Sequence, residues 1–154
     1  MHHPISKAEV HQQLAAHGLK ATHQRIAVYE ALMALHDKHP VAEDVHQVLK
    51  PDYPSISLGT VYKTLDTLAE TGLIRRVLSE KGGNRYDADT SVHNHIYCTN
   101  TREILDYKDA ELEELLESFF KQRHMENFEV KSFFVQLTGN KIEPEKQVRI
   151  TRLK

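Results

Sequence analysis

His39, Asp87, His93, His95 and Asp106 are residues of the types that hold a divalent metal, since imidazoles offer nitrogen and carboxylates offer oxygen. Val92-His93-Asn94-His95-Ile96-Tyr97-Cys98 alternates in polarity, so in a strand both histidines point to one face. Three imidazoles and two carboxylates together carry −2, which neutralises a divalent ion. Iron(II) and manganese(II) accept such mixed shells, whereas structural zinc sites usually take thiolates. Five protein ligands leave one position open on an octahedral ion. Bound iron(II) could reduce peroxide there, and the oxidant formed would first meet the ligating rings. Singly, each residue has an ordinary explanation: His93 and His95 as an exposed sheet face, Asp87 and Asp106 as turn or surface residues, His39 before Pro40 as a loop residue. The coincidence of all five is what points to a metal. His93-Asn94-His95 also spells a nuclease triplet, but the ββα-metal context of that motif is absent from the pattern.

The elements that would position these residues can be read from caps and periodicity. Ser6 to His17 is expected to be a helix, capped by Ser6 with Glu9 and stopped by Gly18. Thr22 caps a second helix through His36, and Val41 to Leu49 forms a short third one ending at Pro51. Ser57 to Thr71 is a fourth, with Val61, Leu65 and Leu68 on one face and Gly72 as its stop. Two β-runs follow, Leu73 to Ser79 and Asn84 to Ala88, joined by Glu80-Lys81-Gly82-Gly83, which suits a tight hairpin turn.

Composition shifts after Ala88. Strands are expected over His93–Thr99 and Glu103–Tyr107, an acidic helix capped by Asp109 over Ala110 to about Met125, and a strand over Phe128–Leu137. The chain therefore divides into 1–88, a helical domain with a hairpin; 89–141, a β-β-α-β domain that holds most of the metal candidates; and 142–154, a polar tail that is a candidate for disorder. The fold class is α+β, an N-terminal winged helix-turn-helix followed by a small α/β dimerisation domain. The second piece is too small to hide both faces of its sheet, so pairing with a second copy is expected.

Ser57–Thr71 stands where a winged helix-turn-helix has its recognition helix. Ser57, Thr60, Tyr62, Lys63 and Thr64 lie on its N-terminal half, the end that enters the major groove. Lys81 on the wing and Arg25 on the second helix could reach the phosphate backbone. A solvated helix in an ordinary α/β domain is the plain alternative, and the hairpin directly after the helix favours double-stranded DNA.

The formal charge of −2 argues against a purely electrostatic nucleic-acid binder without excluding a specific one. Many of the 11 histidines lie on or at the ends of helices (His11, His17, His23, His36, His46) and read as surface residues. No apolar run approaches the ~20 residues of a membrane span, and no signal-peptide core is visible. The single cysteine, Cys98, rules out an internal disulfide and a four-thiolate zinc site, and suits a cytoplasmic protein. It reads as a buried strand residue.

Leu19-Lys20-Ala21-Thr22-His23-Gln24-Arg25, Ser57-Leu58-Gly59-Thr60-Val61-Tyr62-Lys63-Thr64-Leu65, Glu70-Thr71-Gly72-Leu73-Ile74 and Arg85-Tyr86-Asp87…His93-Asn94-His95-Ile96-Tyr97-Cys98 together resemble the ferric uptake regulator family, from about Ser6 to Leu137. The pattern is most similar to the peroxide-sensing branch, whose regulatory site is three His and two Asp. That site falls on His39, Asp87, His93, His95 and Asp106, where iron sensors more often have Glu at the position of Asp87. The resemblance implies a homodimeric transcriptional repressor, not an enzyme, that binds operator DNA when loaded with Fe(2+) or Mn(2+); zinc can occupy the site in vitro. It also implies that iron-catalysed oxidation falls on His39 and His93.

One departure is plain. Most of the family holds a structural zinc with two Cys-x-x-Cys pairs, but here Thr101 stands in place of the mate of Cys98, and Thr138-Gly139-Asn140-Lys141 contains no pair. Dimerisation is then expected to rest on the apolar faces of Leu112–Phe120 and Phe128–Leu137. The family's accessory metal site also lacks its usual histidine in Val130–Leu137, leaving His124 as a weak substitute. Three rivals stay open: an iron, manganese or zinc homeostasis sensor without redox function, a hydrolytic metalloenzyme, and a DNA-binding module whose second domain only dimerises.

Overall fold

The computed structural model describes residues 5–79, 83–91 and 93–154, and the chain divides into two compact units after Thr90. The first unit holds α1 (Lys7–Ala16), α2 (His23–Ala34), α3 (Ala42–Leu49), α4 (Leu58–Glu70), β1 (Arg75–Ser79) and β2 (Gly83–Asp87). α1, α2 and α4 start behind capping side chains. Ser6 and Glu9 form a capping box on α1, the Thr22 hydroxyl accepts the Arg25 N–H on α2, and the Ser57 hydroxyl accepts the Thr60 N–H on α4. Gly18 (φ 72°) and Gly72 (φ 81°) end α1 and α4 in the left-handed region, which costs glycine little. The second helix is shorter than its expected reach to His36, because a single 3₁₀ turn (His36–Lys38) replaces its last stretch.

Val10, Leu14, Val28, Leu32, Val45, Val61, Leu65 and Leu68 are fully buried and form the core of this unit together with Ile74 and Tyr86. β1 and β2 pair antiparallel from Arg75↔Asp87 to Ser79↔Gly83, the expected hairpin. The expected turn around Lys81 lies outside the described residues.

The second unit holds β3 (Asn94–Cys98), β4 (Ile104–Tyr107), α5 (Ala110–Lys121) and β5 (Gln136–Gly139), with strand order β4-β3-β5. β3 pairs antiparallel with β4 and parallel with β5. Residues 142–154 contain no helix or strand. The last strand departs from expectation. Phe128–Leu137 alternates, yet only its final two residues are in β5, which runs on to Gly139. The reason is the length of β3: its ladder to β5 begins near Asn94, where the Asn94 side chain accepts the Val135 N–H, so earlier residues have no strand beside them. α5 stops at Lys121 rather than near Met125, and Asn127 (φ 57°) turns the chain shortly afterwards.

No residue of α5 is buried. Leu115, Phe119, Phe128, Phe134 and Leu137 are all exposed large apolar side chains of this unit. At the other end of the sheet the missing cysteine pairs have a polar counterpart. The Asn100 side chain donates to the Lys141 carbonyl and accepts the Lys141 N–H, both at 3.0 Å. Thr99 donates its N–H to the Gly139 carbonyl (2.8 Å) and its hydroxyl to Asn140, while the Lys141 ammonium pairs with Glu103. That ion pair holds the Glu103 carboxyl below its ordinary range. The β3–β4 turn and the end of β5 are thereby fastened by hydrogen bonds at the two places where the sequence lacks thiolates.

Asn100→Ala should lower the stability of the protein by about 1–2 kcal/mol, for two hydrogen bonds lost together. Denaturation with and without chelator is the measurement, and the loss should be equal in both; a variant as stable as wild type would show the clasp to be redundant.

Candidate metal centre and nucleic-acid interface

His39 occupies the turn between the 3₁₀ segment and α3. Its backbone is left-handed (φ 45°, ψ 65°), an uncommon conformation for a residue with a β-carbon, and it is held from two sides. The Tyr86 N–H donates to the Pro40 carbonyl (2.9 Å), and the Arg85 guanidinium reaches the His39 carbonyl (3.4 Å). These bonds fasten the turn to β2, whose last residue is Asp87. The Asp87 carboxylate gives one oxygen to the Asp89 N–H (2.9 Å) and sets the other 3.3 Å from His39 Nε2. Both side chains are buried.

The second unit places His93 and His95 around one carboxylate oxygen. His95 lies across the β3–β4 ladder from Asp106, and His93, two residues earlier, shares its face. Asp106 Oδ1 is 3.1 Å from His93 Nε2 and 3.6 Å from His95 Nε2. The imidazoles meet edge to face, with centroids 4.6 Å apart. His93 Nδ1 lies 2.7 Å from the Ser91 carbonyl. A carbonyl can only accept, so Nδ1 carries a proton and Nε2 is the nitrogen that faces Asp106. At 3.1 Å from a carboxylate, Nε2 is satisfied either by its own proton or by a metal ion held between the two groups. Both histidines are buried while Asp106 is 39% exposed, so the group opens to solvent on the carboxylate side.

All five predicted residues are candidate metal ligands, His39 and Asp87 in the first unit and His93, His95 and Asp106 in the second. Neutral nitrogens with carboxylate oxygens are a donor set that fits iron(II), manganese(II) or zinc. His124 belongs to no such group among the described residues. Cys98 is buried in β3, as its sequence context implies.

The DNA-reading residues divide by exposure. Ser57, Tyr62 and Lys63 are exposed and Thr60 is half-buried, at the N-terminal half of α4. Arg25 is half-buried and donates to the Lys20 carbonyl (3.0 Å). Thr64 is 8% exposed and counts with Val61, Leu65 and Leu68 among the buried residues of α4, so it has little surface to offer DNA. Lys81 lies outside the described residues. Sequence reasoning missed the bonds that hold the reader. His46 donates from Nε2 to the Ile56 carbonyl (3.1 Å), fixing the turn before α4. Asp66, on the far half of α4, accepts from the Tyr86 hydroxyl (3.0 Å) and from Arg76 (3.1 Å) and so binds the helix to the hairpin. A polar residue at core spacing was the only signal available for Asp66.

A winged helix beside a histidine–aspartate metal group defines a class, the metal-responsive DNA-binding regulators. Residues 16–138 match the ferric uptake regulator family, and the chain belongs to that family. The peroxide-responsive repressor PerR of Staphylococcus aureus is 30% identical to it over 122 residues, covering 79% of this chain and 80% of that protein. Among solved structures, the peroxide stress regulator of Campylobacter jejuni is 33% identical with a TM-score of 0.65, covering 90% of this chain and 98% of that one. The ferric uptake regulator of Pseudomonas aeruginosa, solved with manganese, is 28% identical with a TM-score of 0.75, covering 87% and 98%. The chain is a metal-responsive repressor of this family, with an α+β fold of winged helix and dimerisation domain. No helix among the described residues is long and apolar enough to cross a membrane.

Burial, and then Asp66 accepting its proton, push the Tyr86 hydroxyl up to about 12. The unfolded value is near 10, so this contribution to stability is complete below about pH 10 and is lost as pH rises through about 12. Tyr86→Phe should flatten that alkaline loss, measured by urea denaturation across the range; equal slopes in both proteins would refute the assignment.

Proposed function

We propose that the protein is a peroxide-stress repressor of the cytoplasm, a homodimer whose affinity for operator DNA is set by occupancy and oxidation of one site made from His39, Asp87, His93, His95 and Asp106. The observation that carries this reading is the orientation of His93, whose Nδ1 proton is committed to Ser91 while Nε2 turns to Asp106 beside His95. A bond from the other ring nitrogen to a backbone carbonyl is what fixes a metal-binding imidazole in tautomer and orientation. Each unit alone offers too few donors for a six-coordinate ion, and the two sets together supply five and a charge of −2. An ion shared by both would couple metal occupancy to the DNA-reading unit.

Iron(II) or manganese(II) is the proposed resident, iron(II) being the one that supplies an electron to peroxide. The roles of the chain's own residues are simpler. Asp87 and Asp106 balance charge, His95 holds position on β3, and His39 and His93 are the rings expected to gain oxygen. Ser57, Thr60, Tyr62 and Lys63, with Arg25 and Lys81 toward the backbone, are the proposed operator contacts, and the exposed faces of α5 and 128–137 the proposed dimer surface. The two relatives named for peroxide, in S. aureus and C. jejuni, support the branch.

The second reading is metal homeostasis without redox sensing, which the likeness to the P. aeruginosa regulator with manganese supports. One experiment separates them. A duplex selected from a random pool by the manganese-loaded protein is titrated with the iron(II) and manganese(II) forms, before and after dilute peroxide, followed by mass spectrometry. The expected result is release of DNA by the iron form alone, with added oxygen on His39 or His93. Iron-loaded protein that keeps its DNA and gains no oxygen leaves the homeostasis reading.

A second measurement tests the site itself. His93→Ala should abolish metal-dependent binding to the selected duplex and reduce manganese content at least tenfold by equilibrium dialysis, a loss typical of removing a metal ligand or its support. Unchanged metal content and unchanged affinity would leave the second unit a dimeriser only.

A further inference from the structure

Tyr62 stands on the exposed side of α4, and its hydroxyl does not point to open solvent. It donates to Glu43 Oε1 at 2.5 Å. Glu43 is the second residue of α3, in a first turn that also carries Asp44. A carboxylate there is favourable to α3 itself, since the N-terminal end of a helix attracts negative charge. It is unfavourable to DNA binding, since a carboxylate beside the reading helix repels phosphates. Its one bond to the reading surface is the bond to Tyr62. That bond holds the Glu43 carboxyl below its ordinary range and the Tyr62 hydroxyl above its own, as a shared proton requires.

With its only proton committed to Glu43, the Tyr62 hydroxyl cannot also donate to a phosphate. What Tyr62 then offers DNA is the position of its ring and of the remaining oxygen lone pair. An unrestrained tyrosine on an exposed helix samples more than one side-chain rotamer, whereas a ring anchored at its far end has one. We infer that Glu43 is a positioning residue for operator discrimination: by taking the hydroxyl proton of Tyr62 it fixes the ring that the recognition helix presents to DNA. This rests on the proposed assignment of Tyr62 to the operator contacts.

The test uses the manganese-loaded full chain, the duplex selected as above, and copies of that duplex substituted at each position. Glu43→Gln keeps an acceptor for the hydroxyl and removes the charge, whereas Glu43→Ala removes both. Both variants should bind every duplex more tightly, through the lost repulsion. Only Glu43→Ala should also lose discrimination at the positions Tyr62 reads, by about fivefold, the ratio that one net hydrogen bond supplies. Tyr62→Phe should lose discrimination at the same positions, and adding Glu43→Ala to it should change nothing more there.

Two results overturn the inference in distinguishable ways. If Tyr62→Phe and Tyr62→Ala both discriminate like wild type, the assignment of Tyr62 to the operator fails and the inference falls with it. If the Tyr62 variants lose discrimination while Glu43→Ala matches Glu43→Gln, Tyr62 keeps its role and Glu43 is only a charge.

Discussion

The hydrogen bond from His93 Nδ1 to the Ser91 carbonyl constrains much of the chemistry of the second unit. An imidazole has two nitrogens, and a metal ligand must present one of them without its proton. The Ser91 carbonyl decides which. It does so just before β3, so the ring is oriented by backbone rather than by a mobile side chain. His95 follows two residues on, on the same face, with Asp106 opposite it in the ladder with β4. Sheet register alone brings the histidine pair to the carboxylate. A slip of one residue would turn both histidines to the other face.

The first unit reaches a comparable arrangement by a different route. His39 is not on a strand or a helix, and its left-handed backbone would be unstable without support. That support comes from β2 through Tyr86 and Arg85, adjacent residues of the strand that ends in Asp87. The bonds that hold His39 in place therefore come from the same five-residue strand that carries its partner. Tyr86 has a further task, since its hydroxyl binds Asp66 on α4. One strand thus fixes both the turn of His39 and the far end of α4.

Much of this was legible in the sequence, for identifiable reasons. The helix starts were readable because Ser6, Thr22, Ser57 and Asp109 cap them by side-chain bonds that act within three residues. The histidine pair was readable because strand alternation is a local rule. The start of the last strand was not readable, because it depends on neighbours remote in sequence. The start of β5 is set by where β3 begins, about forty residues earlier in the chain, and alternation over Phe128–Leu137 carries no such information. Thr64 lies in the N-terminal half of α4, and 3.6-residue periodicity also puts it beside Val61, Leu65 and Leu68, so its burial is legible locally. Glu43 carried no signal at all, since its partner Tyr62 is on another helix.

The second unit also shows how a sheet can be closed without the thiolates that the family more often uses. A zinc site joins two turns by four strong bonds and tolerates little variation in what surrounds it. Here the same ends of β3, β4 and β5 are joined by an asparagine that pairs with both backbone groups of Lys141, a threonine, and one ion pair. Such bonds contribute modestly one by one, because water competes for each of them. Their number and their backbone partners compensate, and they need no metal to form. The consequence is a separation of roles. In a protein with both sites, metal depletion acts on the fold and on the regulatory centre together. In this chain the ends of β3 and β5 are joined by groups that hold no metal, so the clasp next to the strand of His95 forms from hydrogen bonds and one ion pair alone.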